Sequence, residues 1–414
     1  MVFCSVNLVE KHIIRKGHKW FGACDRVCFL CKNLYNYVLF ENRKKFIETG
    51  KIYSMKEFFK MLRTNNQPDF RALPSQVAKE VVRLHYKNWL SFFAAVKSHR
   101  KNPSKFTGRP RLPKYKKQKG DTKYGRFIAC YYFPEAISRK ALKQGIIKLS
   151  GIDNLSRPLG IEIDSRGRKV KMVRIVPKYG RYVIEVVYEV PTPNLQAANG
   201  KEAALDLGVN NLGTVVFNTG DHPVIINGRP LKSINQYFNK LKAQLMSYVG
   251  GKGHSQRLEK LTLNRDNKIH DFLHKHSTLL MNYLASKGIT KLYVGKNQGW
   301  KQSIKIGKRN NQNFVNIPFD KFIQMLTYKG ALRGIEVICH EESYTSKCSC
   351  LDRESVKKHL IYKGKRIKRG MFKSNKGILI NADVNAAYNI GRKSNPEFLD
   401  RIEVLPLVPR RLIA

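Results

Sequence analysis

The order of strand and helix patterns beyond residue 200 is the feature that most limits the fold. Three β-like runs come first, at 203–207, 212–217 and 223–227. A helical region, a strand, a helix, a strand and a last helix follow, and the last helix begins after Asn381. This order is typical of an RNase H-like fold, in which a mixed sheet carries helices. We therefore predict a mixed α/β domain in the second half of the chain.

Two carboxylates occupy special places in this pattern. Asp206 ends the first strand, and Asp383 lies at the start of the last helix. Taken alone, Asp206 fits a surface strand end and a metal ligand equally well. In an RNase H-like sheet, however, the two side chains meet, and phosphodiester hydrolysis by two metals needs carboxylates around ions roughly 4 Å apart. The pair therefore favours a metal site.

The first half of the chain has a different pattern of strand and helix signals. Residues 2–14 and about 124–191 contain short β-like runs separated by Gly, Pro and Ser, a pattern that indicates a small β-barrel. Helical periodicity marks about 21–46 and a second helix opening at Leu73-Pro74. The multidomain prediction is a barrel of 1–15 plus 124–192, a helical insertion of 16–123, an α/β domain of 201–345 plus 378–394, a small insertion of 346–377 and a loosely packed tail of 395–414.

The charge of the chain indicates a polyanionic partner. The 414 residues contain 78 Lys and Arg against 30 Asp and Glu, a net charge of +48. Such a field favours nucleic acid over small-molecule substrates. The segment 97–123 is especially basic, and either phosphate contact or a solvated loop explains it. The chain has no apolar run of about 18 residues and no signal-peptide pattern, so we expect no membrane segment and a cytoplasmic location.

The eight cysteines do not form a zinc-binding pattern. Cys28 and Cys31 have zinc-like spacing but lie in an apolar helical stretch, which favours core packing. Cys348 and Cys350 are too closely spaced for a zinc knuckle. A structural zinc site needs four ligands, so we expect none.

Several motifs together resemble the TnpB family, transposon-encoded relatives of the type V CRISPR effectors. The resemblance covers essentially the whole chain. It rests on Leu205-Asp206-Leu207-Gly208 (first RuvC motif), Arg265-x-x-Lys268-Ile269-x-Asp271-Phe272-x-His274-Lys275 (basic helix), Tyr344-Thr345-Ser346-x-Cys348-Ser349 and Asn381-Ala382-Asp383-x-Asn385-Ala386-Ala387-x-Asn389-Ile390 (third RuvC motif).

The resemblance implies a RuvC nuclease domain, preceded by a wedge domain (the barrel) that holds a recognition domain (the helical insertion). It also implies an RNA-guided DNA endonuclease that uses Mg²⁺, for which Mn²⁺ substitutes. The partners would be a guide RNA from the transposon end and double-stranded target DNA beside a short flanking motif. One or two copies would act on one RNA, near the nucleoid of a bacterial cell.

Two departures from the family pattern matter. Val294-Gly295-Lys296-Asn297 stands where the second RuvC motif carries a glutamate, and Leu351-Asp352 stands where the first cysteine pair of the zinc ribbon would close. The resemblance is therefore to a branch with a displaced glutamate and a degenerate ribbon. Glu342, after the fifth strand, is the predicted replacement, and Glu341 is the second choice because alternation points it to the other face. Both could instead be solvated turn residues.

The predicted catalytic and metal-binding residues are therefore Asp206, Glu342 and Asp383. The resemblance and the basic composition give the predicted nucleic-acid contacts, although a solvated basic face is the alternative for many of them. These contacts are Arg109, Arg111, Lys114, Lys116, Arg257, Arg265, Lys268, Lys275, Lys296, Trp300, Lys301, Arg366 and Arg369.

Three functions are compatible with these features. The first is an RNA-guided endonuclease that cuts by two-metal hydrolysis. The second is a nuclease-inactive, RNA-guided DNA-binding protein that represses transcription or assists transposition, which the missing glutamate favours. The third is a transposase of RNase H-like fold that uses no guide, for which the barrel, the helical insertion and the diffuse charge have no evident use.

Overall fold

The computed structural model describes residues 5–116, 127–152, 159–165, 168–195, 199–251, 255–297, 299 and 307–412. The chain divides into two compact units, one of Asn7–Val190 and one of Met1–Val6 with Pro191–Ala414. The boundary falls at Pro191, next to residue 192, where the predicted barrel segment ends. In the part of the chain that the structure describes, we find no helix with the length and apolarity needed to cross a membrane.

The first unit combines a helical part with short strands. Its elements are β1 (Ser5–Ile14), α1 (Phe21–Thr49), α2 (Met55–Thr64), α3 (Pro68–Ala72), α4 (Ser75–Lys101), a 3-10 turn (Pro103–Lys105), β2 (Cys130–Tyr132), a 3-10 turn (Pro134–Ala136), α5 (Arg139–Lys143), β3 (Ile146–Lys148), β4 (Glu162–Asp164), β5 (Lys169–Lys178) and β6 (Arg181–Pro191). The predicted long helices and strands are all present. The sequence reading missed α2, which begins with a capping box between Ser54 and Glu57.

The strands of the first unit form an open sheet in the order β1-β6-β5-β2, with β3 and β4 as a separate pair. These pairings of the described residues do not close a barrel, and closure stays a prediction. α1, α4 and the sheet share one apolar core. Cys28 and Cys31 are fully buried in it, together with Cys130 of β2. The prediction that this cysteine pair packs in a core is therefore confirmed.

The second unit contains the predicted α/β domain. Its elements are β7 (Glu202–Asp206), β8 (Asn211–Phe217), β9 (Val224–Asn227), α6 (Arg229–Ser247), α7 (Gln256–Ser286), β10 (Lys291–Gly295), α8 (Lys308–Asn316), α9 (Phe319–Ala331), β11 (Glu336–His340), β12 (Lys365–Lys368), β13 (Met371–Lys373), β14 (Leu379–Asn381), α10 (Ala382–Ser394), a 3-10 turn (Pro396–Leu399) and β15 (Arg410–Arg411). The three short strands β12 to β14 and the helix α8 were not predicted.

The sheet of this unit has the predicted RNase H-like order. Its six strands run β11-β10-β7-β8-β9-β15. β7, β8 and β9 are antiparallel neighbours, whereas β10 pairs with β7 and β11 with β10 in parallel. The parallel strands β7, β10 and β11 therefore end at one edge of the sheet, and this edge positions the candidate site.

Helices cover both faces of the sheet, as its alternating side chains require. Ala203 and Leu205 of β7 belong to a core with residues of α6, α7 and α9. Ala204, between them, belongs to a second core with residues of α10. Asp206 continues the alternation of Ala204 and so lies on the α10 face.

The C-terminal segment packs more closely than the sequence led us to expect. Phe398 and Leu399 of the 3-10 turn are buried, and the ring of Phe398 lies against Gly391 of α10. Arg410 and Arg411 form β15, which pairs with β9 and extends the sheet. The expectation of a loose tail is therefore wrong, because two isolated apolar residues and a two-residue strand leave no periodic pattern.

Candidate active site

The site lies where the three parallel strands end. Val294 of β10 pairs with Leu205 of β7, and Gly295 pairs with His340 of β11. Asp206 is the last residue of β7, so it neighbours Gly295 across the sheet. Residues that follow β11 therefore emerge at the same edge as Asp206.

The helix α10 brings Asp383 to this edge. Asn381 caps the helix, and its side-chain oxygen accepts hydrogen bonds from the backbone N–H groups of Asp383 (3.0 Å) and Val384 (3.2 Å). The cap fixes Asp383 in the first turn. α10 packs on β7, β8 and β10, so its N-terminus faces the end of β7. The predicted N-cap is confirmed.

Two further asparagines of the same motif hold the segment that follows Glu342. Asn385 donates to the carbonyl of Cys348 at 2.9 Å and accepts from the N–H of Cys350 at 2.9 Å. Asn389 donates to the carbonyls of Thr345 (2.9 Å) and Cys348 (2.7 Å). The regular spacing of asparagines along α10 thus fixes the chain downstream of the carboxylate.

Glu342 fills the space that Gly295 leaves free. A Cβ at position 295 would lie 2.6 Å from Oε2 of Glu342 and 3.2 Å from its Cβ, and 2.5 Å from Cδ1 of Ile390. The second RuvC motif carries its glutamate at the position that matches Gly295. Its replacement by glycine therefore opens the room in which the Glu342 carboxylate lies.

The neighbouring Glu341 points elsewhere. Its carboxylate accepts a hydrogen bond from Nζ of Lys393 near the end of α10, and about half of its side chain is exposed. Glu342 is instead half-buried beside Asn297, whose Oδ1 accepts from the Glu342 N–H at 3.1 Å. Of the two candidates, Glu342 is the one that lies with Gly295 at the end of β10.

Asp383 is held by two side chains from opposite sides. Nδ2 of Asn211, the first residue of β8, donates to Oδ2 of Asp383 at 2.9 Å. Nη2 of Arg366, on β12, lies 3.4 Å from Oδ1. Arg369 lies nearby, because its guanidinium donates to the Asn210 amide oxygen at 2.9 and 3.2 Å when that amide faces it. Two predicted nucleic-acid contacts thus lie at the carboxylate edge.

Asp206 lies close enough to Glu342 and Asp383 for their negative charges to affect its ionisation. Burial, and then the negative charges of Glu342 and Asp383, raise the pKa of Asp206 well above its usual range, while Arg366 opposes the shift. Burial and the charge of Glu341 raise the pKa of Glu342 to about 7, against the effect of Lys393. Accumulated negative charge of this kind is typical of a cation-binding or catalytic site.

The donor set suits a hard divalent cation, because Mg²⁺ and Mn²⁺ prefer carboxylate oxygens. As the side chains stand, no three His, Cys, Asp or Glu residues in the described ranges converge into a ready-made ion site. Asp383 is bonded to Arg366 and Asn211 instead. Asp206, Glu342 and Asp383 are the residues that would hold such an ion, and Asp383 would then have to give up its contact with Arg366.

The other predicted nucleic-acid contacts lie mostly on the surface. Lys116 and Lys296 are half-buried, and Nζ of Lys296 lies 2.5 Å from Asp320. Trp300 and Lys301 fall outside the described residues. The exposed residues are Arg109, Arg111, Lys114, Arg257, Lys268 and Lys275.

Arg265 differs from this group. Its guanidinium donates to Asn235 of α6 (2.9 Å) and to the carbonyl of Asn316 at the end of α8 (3.0 Å), and it lies 5.1 Å from the ring centre of Phe238. These contacts fix α7 against its neighbours. The guanidinium of Arg265 is thus engaged within the protein, and its contact with nucleic acid stays a prediction.

Asn211 and Asn297 are the site neighbours that the sequence reading missed. Each reaches its carboxylate partner across a long stretch of chain, 172 residues for Asn211 and 45 for Asn297. The only sequence signal is their position: Asn211 follows Asp206, the end of β7, by five residues, and Asn297 follows Gly295, the end of β10, by two. That position is too common to single out a residue.

Comparison with known proteins now adds to this geometry. Residues 185–301 match the family model OrfB_IS605, described as a probable transposase. Residues 319–390 match the model of the TNB domain of Cas12f1-like proteins. These two regions, which together make up less than half of the chain, are what makes it similar to TnpB-like transposon proteins. The second match spans β11, both glutamates and Asp383, so most of the candidate site lies within it.

One solved structure supports the fold. The Cas12f1–sgRNA–target DNA complex, solved by cryo-EM, aligns with a TM-score of 0.53 at 15% identity, over 90% of this chain and 82% of that chain. A CRISPR–Cas12f ternary complex aligns at 0.37 (13% identity, 90% and 81% coverage), and the mini-RNA-guided endonuclease CRISPR-Cas_phi3 at 0.43 (10% identity, 98% and 94%). TM-scores below 0.5 are too low to carry a conclusion. A search of curated proteins finds no significant match to this sequence.

Proposed function

We propose that the protein is an RNA-guided, Mg²⁺-dependent DNA endonuclease. The observation that carries the proposal is the assembly of Asp206, Glu342 and Asp383 at one edge of an RNase H-like sheet. The family match to TnpB-like transposon proteins and the +48 net charge support it. The structural likeness to a Cas12f1–sgRNA–target DNA complex is compatible with the same function.

Each carboxylate has a distinct part in this proposal. Asp206, at the end of the central strand, lies under the influence of both other carboxylates and would be the central residue of the set that holds the metal. Glu342 and Asp383 flank it, from β11 and α10 respectively. Mg²⁺, or Mn²⁺ in its place, would supply Lewis-acid stabilisation of the scissile phosphate and of the attacking water.

The basic residues beside the carboxylates would hold the substrate. Arg366 and Arg369 lie on and next to β12 and reach the carboxylate edge. Guanidinium groups bind phosphate oxygens well. When a phosphodiester enters, Arg366 can exchange its bond to Asp383 for one to the phosphate, which frees the carboxylate for a metal ion.

We also propose the division of labour among domains. The strands of 1–15 and 124–192 would form the wedge and the segment 16–123 the recognition insertion, and together they would bind the guide RNA and the flanking duplex motif. Base pairing with the guide would read the target sequence. The insertion at 346–377 would load the target strand beside the nuclease residues of 201–345 and 378–394.

A plasmid-library experiment tests this function. The protein is co-expressed with RNA from the DNA flanking its gene, purified, and incubated with a library of flanking motifs in Mg²⁺ or Mn²⁺. We expect guided cutting, and Asp206→Asn should lower its rate by at least about 10³-fold, or about 4 kcal/mol. DNA binding by this variant should be unchanged. Binding without any cutting in either metal would contradict the proposal.

The nuclease-inactive alternative rests on the missing carboxylate at position 295. It predicts guided DNA binding in the same assay with no cleavage product. Both functions predict that RNA co-purifies with the protein, so co-purification of RNA does not distinguish the nuclease from the inactive DNA-binding protein. It does argue against a transposase without a guide.

A further inference from the structure

We propose that Asn297 positions Glu342 in the active site. The inference rests on the proposed nuclease function, and it gives a role to Asn297, to which the sequence analysis assigned none. Asn297 follows the end of β10 by two residues and is half-buried. It comes from the same short stretch, 294–297, in which the expected glutamate is missing.

Asn297 contacts Glu342 at two points. Its Oδ1 accepts a hydrogen bond from the Glu342 backbone N–H at 3.1 Å, and its Nδ2 lies 3.5 Å from Glu342 Oε1. The first contact fixes where the chain turns after β11. The second directs one carboxylate oxygen toward Asn297 and leaves the other, Oε2, above Gly295.

The backbone around Glu342 is held from its other side as well. The Glu342 carbonyl accepts from Oγ1 of the buried Thr345 at 2.8 Å and from its N–H at 3.2 Å. Lys296 N–H donates to the His340 carbonyl at 2.8 Å, which continues the pairing of β10 with β11 by one residue. These contacts determine the position of the main chain. Among the described residues, the side chain that we find bonded to the Glu342 carboxylate is that of Asn297.

The stretch Gly295–Asn297 thus accommodates and contacts the glutamate that follows the neighbouring strand β11. Gly295 provides the space, and Asn297 provides one hydrogen bond to the Glu342 backbone N–H and one 3.5 Å contact to its carboxylate. Partners of this kind raise metal affinity because they fix the rotamer of the ligand before the ion binds. Asn297 itself contacts no reacting atom in this scheme, so it is a positioning residue.

The test uses Mn²⁺ binding to the full-length chain, stripped of RNA and measured by isothermal titration calorimetry. Asn297→Ala should bind Mn²⁺ about 10- to 100-fold more weakly than the wild type. Asn297→Ser, which removes less volume and keeps a polar side chain, should weaken binding in the same direction if the alanine variant folds poorly. Asn282→Ala is the matched control, because Asn282 bonds Arg333 elsewhere in the unit, at 2.6 and 3.0 Å, and should leave Mn²⁺ affinity unchanged.

A double-mutant cycle separates positioning from a general structural effect. In a Glu342→Gln background, Asn297→Ala should change Mn²⁺ affinity by less than about twofold, since the partner is already altered. An undiminished effect in that background, or wild-type affinity for both Asn297 variants, would overturn the inference alone. Absence of Mn²⁺ binding and of guided cutting in the wild type would overturn the proposed function, and this inference with it.

Discussion

The carboxylate edge of the sheet and the small insertion at 346–377 each depart from the TnpB pattern, and a glutamate stands at each departure. At the edge, position 295 is a glycine, and we propose that Glu342, which follows a neighbouring strand, supplies the missing carboxylate. In the insertion, where the cysteine pattern of a zinc ribbon is incomplete, the buried Glu354 joins two segments by hydrogen bonds. In this account Glu342 keeps the chemistry of the lost group, whereas Glu354 keeps only a connection between segments.

The geometry of Glu354 supports this comparison. Only 3% of the residue is exposed. Its Oε2 accepts from Ser349 N–H at 2.8 Å and its Oε1 from Lys363 N–H at 2.9 Å, so one carboxylate joins two segments of the insertion. Asp352 adds a similar link by accepting from Asn375 N–H at 2.8 Å. Hydrogen bonds of this kind can hold a fold together in place of a structural metal ion. They do not supply the ligands that a catalytic metal ion needs.

The largest expected effect concerns the exchange at the sheet edge. Gly295→Glu alone should lower guided cutting about 100-fold or more, because its side chain would begin against Glu342 and Ile390 and displace the working carboxylate. The double variant Gly295→Glu/Glu342→Gly should recover to within about tenfold of the wild type, since the end of Ile390 can shift. Cleavage kinetics on one matched target measure both.

The control for this exchange is Gly22→Glu, which adds the same charge where nothing lies within 4 Å, and it should cut normally. If the double variant cuts no faster than Gly295→Glu, the proposal that positions 295 and 342 serve the same site is contradicted.

A smaller effect is expected in the insertion. Glu354→Ala leaves two backbone N–H groups without their acceptor and should destabilise the protein by about 1–3 kcal/mol, seen as a lower melting temperature. Glu397→Ala, at an exposed glutamate, should change it little. If Glu354→Ala is as stable as the wild type, then Glu354 does not take over the connecting role.

The smallest effect is a pH dependence at the sheet edge. Because the pKa of Glu342 is raised from its ordinary value of 4.5 to about 7, the folded chain binds this proton more tightly than the unfolded chain. The stability that the group contributes is therefore complete below about pH 4.5 and is lost as pH rises through about 7. Melting temperatures measured without divalent metal should show that the wild type loses stability relative to Glu342→Gln as the pH rises from about 4.5 through about 7.

Added Mn²⁺ should reverse this trend, because it competes with protons for the same carboxylates. Its stabilising effect should grow from pH 6 to pH 8 in the wild type and much less in Glu342→Gln. A Mn²⁺ effect that is equal in both proteins would place the ion away from Glu342.

The sequence was sufficient for the parts of the molecule that repeat or alternate. The order of strands predicted the sheet, and the period of two along β11 favoured Glu342 over Glu341. It was insufficient for contacts between side chains distant in the chain, such as Asn211 with Asp383. Arg265 shows the same limit: its charge suggested a nucleic-acid contact, and only the fold shows that its guanidinium is occupied by Asn235 and Asn316.

The most direct test compares two adjacent glutamates. Guided cleavage of one matched target is measured for Glu342→Gln and Glu341→Gln, with guide and DNA binding followed in parallel. We predict that Glu342→Gln loses at least about 10³-fold in rate with binding intact, whereas Glu341→Gln, at the side chain paired with Lys393, stays within a few-fold of the wild type. Wild-type cutting by Glu342→Gln, or its loss in Glu341→Gln alone, would contradict the assignment of Glu342.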